Sequence, residues 1–155
     1  MPIIGHCMRC GQTFAGEFCP RCDVEADHEE QDRLGSFQVW HFRHPSLMDT
    51  THRAARHQEA RRLLRRAWCD LRTAYWIHVA DVRAGSWEEA YARSNNSDAQ
   101  PWYERPTVTL LLALSEADAI GALSGWHPYR STSVGDVLVG GDQARLCLPA
   151  GWLDL

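Results

Sequence analysis

Tyr129-Arg130-Ser131-Thr132-Ser133-Val134-Gly135-Asp136-Val137-Leu138-Val139 joins a polar turn to the start of a strand. Its first half is polar and built of short side chains. Its second half is rich in β-branched residues and reads as a strand beginning at Val137. Gly135-Asp136 lies between them, where the chain can turn sharply: glycine tolerates positive φ, and an Asp carboxylate can close an Asx-type turn. Ser131 and Ser133 can bond nearby backbone N–H groups in the same manner. The same residues admit a second reading, in which Arg130 with Ser131, Thr132 and Ser133 forms a cradle for a phosphate or carboxylate.

Working outward, Gly140-Gly141-Asp142 is a hairpin signal that joins the strand at Val137–Val139 to a second one at Arg145–Leu148. Upstream, Ser36–Arg43 alternates Phe37, Val39 and His41 against Gln38, Trp40 and Phe42; rings on both faces point to a strand buried on both sides. Tyr75–Arg83 alternates in the same way. Between these two, Asp49–Ala74 is expected as one helix capped by Asp49, Thr50 or Thr51. Its core stripe is Ala60, Leu63, Leu64, Ala67, Trp68 and Leu71. Ser86 and Glu89 form a capping box for a helix to about Ser94, with Asn95-Asn96 as its left-handed end. Residues 96–106 read as loop, Thr107–Leu114 as a buried strand with a helix as the alternative, and Ser115–Asp118 as the cap of a short helix ending near Leu123. Strands and helices in this order predict an α+β domain: a small mixed or antiparallel sheet with helices packed on it.

The N-terminal end differs. Cys7-Met8-Arg9-Cys10 and Cys19-Pro20-Arg21-Cys22 are two C-x-x-C knuckles eight residues apart. Four thiolates at that spacing suit one tetrahedral zinc, and a full thiolate set leaves no place for a reactive water, so the site is read as structural. The expected organisation is a zinc ribbon over residues 1–24, an acidic linker over 25–34 and the α+β domain over 35–155. Disulfides would require an oxidising compartment. The first residues carry neither a charged n-region nor a long apolar run, so a cytoplasmic location is expected.

Val79–Asp98 and the Arg130-Ser131-Thr132-Ser133-Val134-Gly135-Asp136-Val137 run together resemble the YodL-like family of small α+β domains. The resemblance covers about residues 73–155, carried by Glu89, Ala90, Tyr91, Asn95, Asn96 and the second run, with Gly151-Trp152 near the end. It implies a setting more than a reaction: modules of phages, plasmids and integrative elements, often encoded beside antirestriction or DNA-transfer genes. The residues 97–129 form a long insertion relative to the usual pattern.

Charge and motifs narrow the function classes. Net charge is −4 and every one of the 16 basic residues is Arg, which excludes a uniformly basic nucleic-acid coat. Arginine is nevertheless concentrated in the Arg53–Arg72 segment, and Arg62, Arg65 and Arg66 could track a phosphate backbone; the alternative is a solvated helix face. No Walker loop, H-E-x-x-H or G-x-S-x-G is present. Cys69 and Cys147 are expected as buried fillers. Trp40, Trp76, Trp102 and Trp126 are expected in the core, interface anchoring being the alternative. A Cys69–His78 or Ser133–His127 pair would be the starting point for an unrecognised hydrolase or nuclease site. No apolar run approaches the roughly 18 residues of a membrane span. The leading expectation is a non-enzymatic accessory protein of a phage or mobile element that binds a protein partner; a nucleic-acid binder is the first alternative.

Overall fold

The computed structural model describes residues 4–6, 13–15, 34–96 and 100–155. The chain divides into two units, Met1–Leu34 and Gly35–Leu155. In the first, β1 (Ile4–His6) pairs antiparallel with β2 (Thr13–Ala15), Gly5 opposite Phe14. Cys7, Cys10, Cys19 and Cys22, and all of the acidic segment except Leu34, lie outside the described residues.

The second unit is built on a six-stranded sheet of order β5-β4-β3-β6-β7-β8, every neighbouring pair antiparallel. The strands are β3 (Gly35–Phe42), β4 (Trp76–Ala84), β5 (Val108–Leu110), β6 (Val137–Gly140), β7 (Gln143–Cys147) and β8 (Trp152–Asp154). The helices are α1 (Met48–Ala54), α2 (Gln58–Tyr75), α3 (Trp87–Arg93) and α4 (Leu114–Ser124). This is the expected α+β fold with an antiparallel sheet. No helix of the described residues is long and apolar enough to cross a membrane.

The alternation in β3 assigns the layers. Phe37 and Val39 join Val82, Leu138, Trp102 and Tyr129 in one core. Phe42 joins Leu64, Trp68, Trp76, Val137 and Leu146 in the other, with Trp40 at its edge. Successive side chains of a strand point to opposite faces, so α1 and α2 cover one face of the sheet, while α3, α4 and the 100–113 segment cover the other. Val39 pairs with Ala80 and Trp40 with His78, leaving Val79 as an extra residue that bends β4. Gly140 has to be glycine: a Cβ there would lie 2.6 Å from the Phe37 ring.

Four local elements differ from expectation. The helix expected over Asp49–Ala74 is two helices preceded by a 3-10 turn at Pro45–Leu47. Arg56 and His57 both donate to Arg53 O, ending α1, and Arg61 Nε folds back 2.7 Å from Ala54 O to satisfy an open carbonyl. Neither helix has a side-chain cap at its N-terminus. The core stripe is narrower than expected: Ala60, Leu64, Ala67 and Trp68 are buried, whereas Leu63 and Leu71 are 44% and 50% exposed, Leu71 lying at a break in helical geometry (φ −134°).

The run Thr107–Leu114 is only a three-residue edge strand. Leu112 then brackets the Tyr129 hydroxyl through its N–H and carbonyl, and Leu114 opens α4. Glu116 accepts from Ala113 N at 3.0 Å, so the box there starts two residues before Ser115. Ser86 caps α3 as expected, accepting from Glu89 N at 3.2 Å, but the Glu89 carboxylate returns to Gly85 N rather than to Ser86. No residue other than glycine has positive φ among the described residues; Asn95 instead donates its Nδ2 to Tyr91 O at 2.6 Å.

Candidate functional site: the Arg130–Asp136 clip and the cavity beside it

β3 ends at Phe42, and the loop from Pro128 to Asp136 wraps that end. Asp136 is fully buried. Its Oδ1 accepts from Phe42 N at 2.7 Å and from Arg130 Nη2 at 2.6 Å. Its Oδ2 accepts from Arg130 Nη1 at 2.6 Å and from Ser133 N at 2.7 Å. This is a two-pronged guanidinium–carboxylate pair, the strongest form of charge-assisted hydrogen bond. Asp136 N donates back to Ser133 O at 3.0 Å, so the carboxylate closes the turn backward onto Ser133 rather than forward as an Asx turn. Gly135 adopts φ +93°. Its carbonyl accepts from Trp76 Nε1 at 2.7 Å, and its Cα faces the Phe42 ring, where a Cβ would sit at 3.4 Å.

The anion that Arg130 holds is therefore the chain's own Asp136. Ser133 Oγ accepts from Arg130 Nη1 at 2.7 Å, and Ser131 Oγ accepts from Asn96 N at 3.0 Å, far along the chain rather than nearby. The Arg130–Asp136 segment thus ties β3, β4, β6 and the end of α3 together.

His41, on β3, is buried in the same cluster. Its Nδ1 lies 2.6 Å from Pro128 O and its Nε2 3.2 Å from Thr132 Oγ1. The carbonyl can only accept, so Nδ1 carries the proton in the neutral ring and Nε2 is the acceptor. The Thr132 hydroxyl also faces Ser94 Oγ at 2.8 Å, so its one proton has two claimants. Burial pushes the imidazole below its ordinary range, against the pull of the Asp136 carboxylate; the Arg130 charge lowers it further and the Pro128 carbonyl raises it.

In the unfolded chain the ring titrates near 6.5. Below that value, and down to the lower folded one, the unfolded state binds more protons, so acid weakens the fold; above it His41 contributes no slope. The urea midpoint is expected to fall as pH drops below about 6.5. The assigned His41 ring resonances should still report the neutral form where a free histidine is half protonated.

Beside the clip lies a cavity of about 560 Å³. Its walls are apolar: Phe42, Met48, Ile77, Ile120 and Trp126. Arg43, His44 and Arg130 border it, and no carboxylate among the described residues lines it. Arg130 stacks over Trp126, 5.8 Å from guanidinium carbon to ring centroid. Arg43 is held by bonds from Nε and Nη2 to Ala74 O and Thr73 O, at 3.3 and 2.8 Å. Trp126 Nε1–H is buried without a hydrogen-bond partner. Sequence reasoning reaches Arg130 and Ser133 but not this cavity. Its walls come from β3, β4, α1, α4 and two loops, and no spacing along the chain joins them.

The other candidates lie elsewhere. Arg62 pairs with Glu59 at 3.4 Å and Arg66 with Asp70 at 3.5 Å, both exposed, while Arg65 Nε donates to Asp154 O at 2.8 Å. Arg72 covers the Trp40 and Trp68 rings. A shallow depression of about 620 Å³ is lined by His52, Arg53, Arg56 and His57 with Pro149 and Ala150, with no carboxylate among the described residues.

Cys69 is exposed rather than buried. His78 bonds Asp81 at 2.9 Å and stacks on Trp40. His127 bonds Asp118 at 3.1 Å while Ser133 faces Arg130, so neither suspected nucleophile–base pair is hydrogen-bonded. Cys147 is buried, and burial with the nearby Asp136 charge pushes its thiol up to about 11. Among the described residues no group of three or more His, Cys, Asp or Glu is placed to hold a metal.

The fold and site define an antiparallel α+β unit with helices on both faces, locked at one end by the pairing of a buried Asp136 with a partly exposed Arg130. No family model, curated protein or solved structure matches the chain.

Proposed function

We propose that this chain is a non-enzymatic binding protein, an accessory of a phage or mobile element, that engages a protein partner in the cytoplasm. One observation carries the binding reading. The polar residues that could have formed a reactive centre are spent on one another, and the open feature beside them is an apolar-walled cavity with a cationic border. Such cavities receive apolar anchors, and a few placed polar groups orient what enters. The mobile-element setting rests on the resemblance of the Arg130–Val137 run.

The N-terminal unit is proposed to hold one structural zinc on Cys7, Cys10, Cys19 and Cys22. The spacing supports this, as does the small size of the segment, which needs a metal in place of a core. The test is affinity purification from the native host with wild-type bait and with Ile120→Glu, which places a charge in the cavity wall. A discrete protein is expected on the wild type, resistant to nuclease and lost on the variant. Elemental analysis should give one zinc per chain. Capture abolished by nuclease, or equal on both baits, overturns the partner reading, and absence of stoichiometric metal overturns the zinc.

A nucleic-acid reading has its own observation: the His52, Arg53, Arg56 and His57 depression, which replaces Arg62, Arg65 and Arg66 as the better phosphate surface, since those three are already bonded. It predicts binding that weakens steeply with salt and is lost in Arg53→Glu/Arg56→Glu.

A further inference from the structure

The depression beside the junction of α1 and α2 selects for one form of polyanion, an inference that rests on the nucleic-acid reading and is independent of the cavity at the Arg130 loop. α1 ends in a tight turn: Arg56 N donates to Arg53 O at 3.0 Å and His57 N to the same oxygen at 2.9 Å. Side chains three residues apart across such a turn stand on one side of it, so Arg53 and Arg56 line the depression together. Among the described residues neither guanidinium has a hydrogen-bond or carboxylate partner.

The C-terminal end of a helix carries partial negative charge on its open carbonyls and repels anions. Arg61 removes that obstacle. Its Nε and Nη2 donate to Ala54 O and Ala55 O at 2.7 and 3.3 Å, and no carboxylate among the described residues pairs with it. Three arginine charges are thus gathered without a counter-charge. On the exposed face of α2, by contrast, Glu59 and Asp70 offset Arg62 and Arg66.

Shape narrows the ligand. Base edges are read by an element that projects into a groove, a helix or a β-ribbon; a concave surface instead receives the ridge that the phosphate backbone makes between grooves. Pro149 and Ala150 complete the lining with short side chains, and no Trp, Tyr or Phe stands there to stack on an unpaired base. A flat bilayer does not follow a concavity, and the lining offers no large apolar group to insert into lipid.

We propose that this depression holds the phosphodiester backbone of a double-stranded nucleic acid, without regard to base sequence, through Arg53 and Arg56, with Arg61 keeping the end of α1 positive. Two sources share this chemistry: a DNA duplex and an RNA duplex.

The test is fluorescence anisotropy of the full chain with short labelled probes: two DNA duplexes of unrelated sequence, an RNA duplex and a single DNA strand. The two DNA duplexes should bind within about twofold of each other, and the single strand about tenfold more weakly. Two to three neutralised phosphates give log affinity a slope of about −2 to −3 against log salt, and Arg53→Gln or Arg56→Gln should each reduce that slope by about one. Arg53→Gln/Arg56→Gln should weaken duplex binding by about tenfold or more at low salt with an unchanged circular dichroism spectrum, whereas Arg62→Gln/Arg66→Gln should bind as the wild type does.

Tighter binding of one duplex type assigns the source; equal binding means that only the shared phosphodiester is read. A single strand that binds as tightly as the duplexes and is lost in Arg53→Gln/Arg56→Gln overturns the duplex proposal and leaves the nucleic-acid reading standing. A marked preference between the two DNA sequences likewise overturns backbone recognition alone. Duplex binding unchanged in Arg53→Gln/Arg56→Gln, or no binding of any probe at low salt, overturns both the proposal and the reading of the depression on which it rests.

Discussion

Asp136→Ala is expected to lower the unfolding free energy by about 3–5 kcal/mol, which for a domain stable by roughly 5–15 kcal/mol leaves a substantial unfolded population. The size comes from what the carboxylate does. It is fully buried and accepts from Phe42 N, Ser133 N and both Arg130 nitrogens. Removing it strands a partly buried guanidinium and two backbone donors at once, and an orphaned buried donor costs about 1–3 kcal/mol. Arg130→Met should cost less, because the two backbone N–H groups still hold the carboxylate and Arg130 is 27% exposed. The double variant Arg130→Met/Asp136→Leu should recover only part of the loss: it removes the uncompensated charge but not the need of Phe42 N and Ser133 N for an acceptor. Urea unfolding followed by tryptophan fluorescence measures all three. A loss below about 1 kcal/mol for Asp136→Ala would make the clip an ordinary surface pair and free Arg130 as an external anion site.

Trp102→Ala is expected to cost about 3–5 kcal/mol, the range for emptying a large buried aromatic site. Trp102 lies in the stretch between α3 and α4 that reads as loop, yet it is fully buried. Its ring meets His41, Tyr103 and Tyr129 at centroid distances of 5.9, 6.2 and 6.0 Å. Its Nε1 donates to Tyr129 O and Arg130 O at 2.9 and 3.1 Å, and its N–H donates to Asn96 Oδ1 at 2.9 Å. Trp102→Phe keeps most of the ring volume but leaves the two carbonyls without their indole donor, so it should cost about 1–3 kcal/mol. The same unfolding measurement separates the two variants. Near-native stability of Trp102→Ala would mean that the stretch between α3 and α4 is an appendage. The expected loss means that it is a wall of the core around Phe37 and Val39 and the support for the Arg130 loop.

These two residues mark how far the sequence can be read. Asp136 is recognisable as a turn residue entering a strand. Its real partners, Phe42 and Arg130, are set by how β3 and the loop meet, and a loop of short polar residues carries no periodicity that would announce it. Trp102 stands in a stretch with the composition of a loop. The greasy run after it has the composition of one buried strand, because an apolar run shows that burial occurs but not whether one element or several share it. The break between α1 and α2 escapes for a related reason: it depends on Arg61 reaching back to the carbonyls of α1, a contact without a sequence signature.

Local chemistry alone determined strands at Ser36–Arg43 and Tyr75–Arg83, each within a residue of those observed, with their two-faced alternation, the Gly140-Gly141-Asp142 hairpin, the Ser86 cap and hence the α+β class, because period-two patterning and turn residues act within a few positions of one another. Tertiary structure alone decided that Arg130 would be occupied by Asp136, that the stretch around Trp102 would close a core, and that a cavity would open between β3, β4, α1 and α4. Each of these depends on groups far apart in the chain, and their meeting is settled by packing and by the need to satisfy every buried charge and donor.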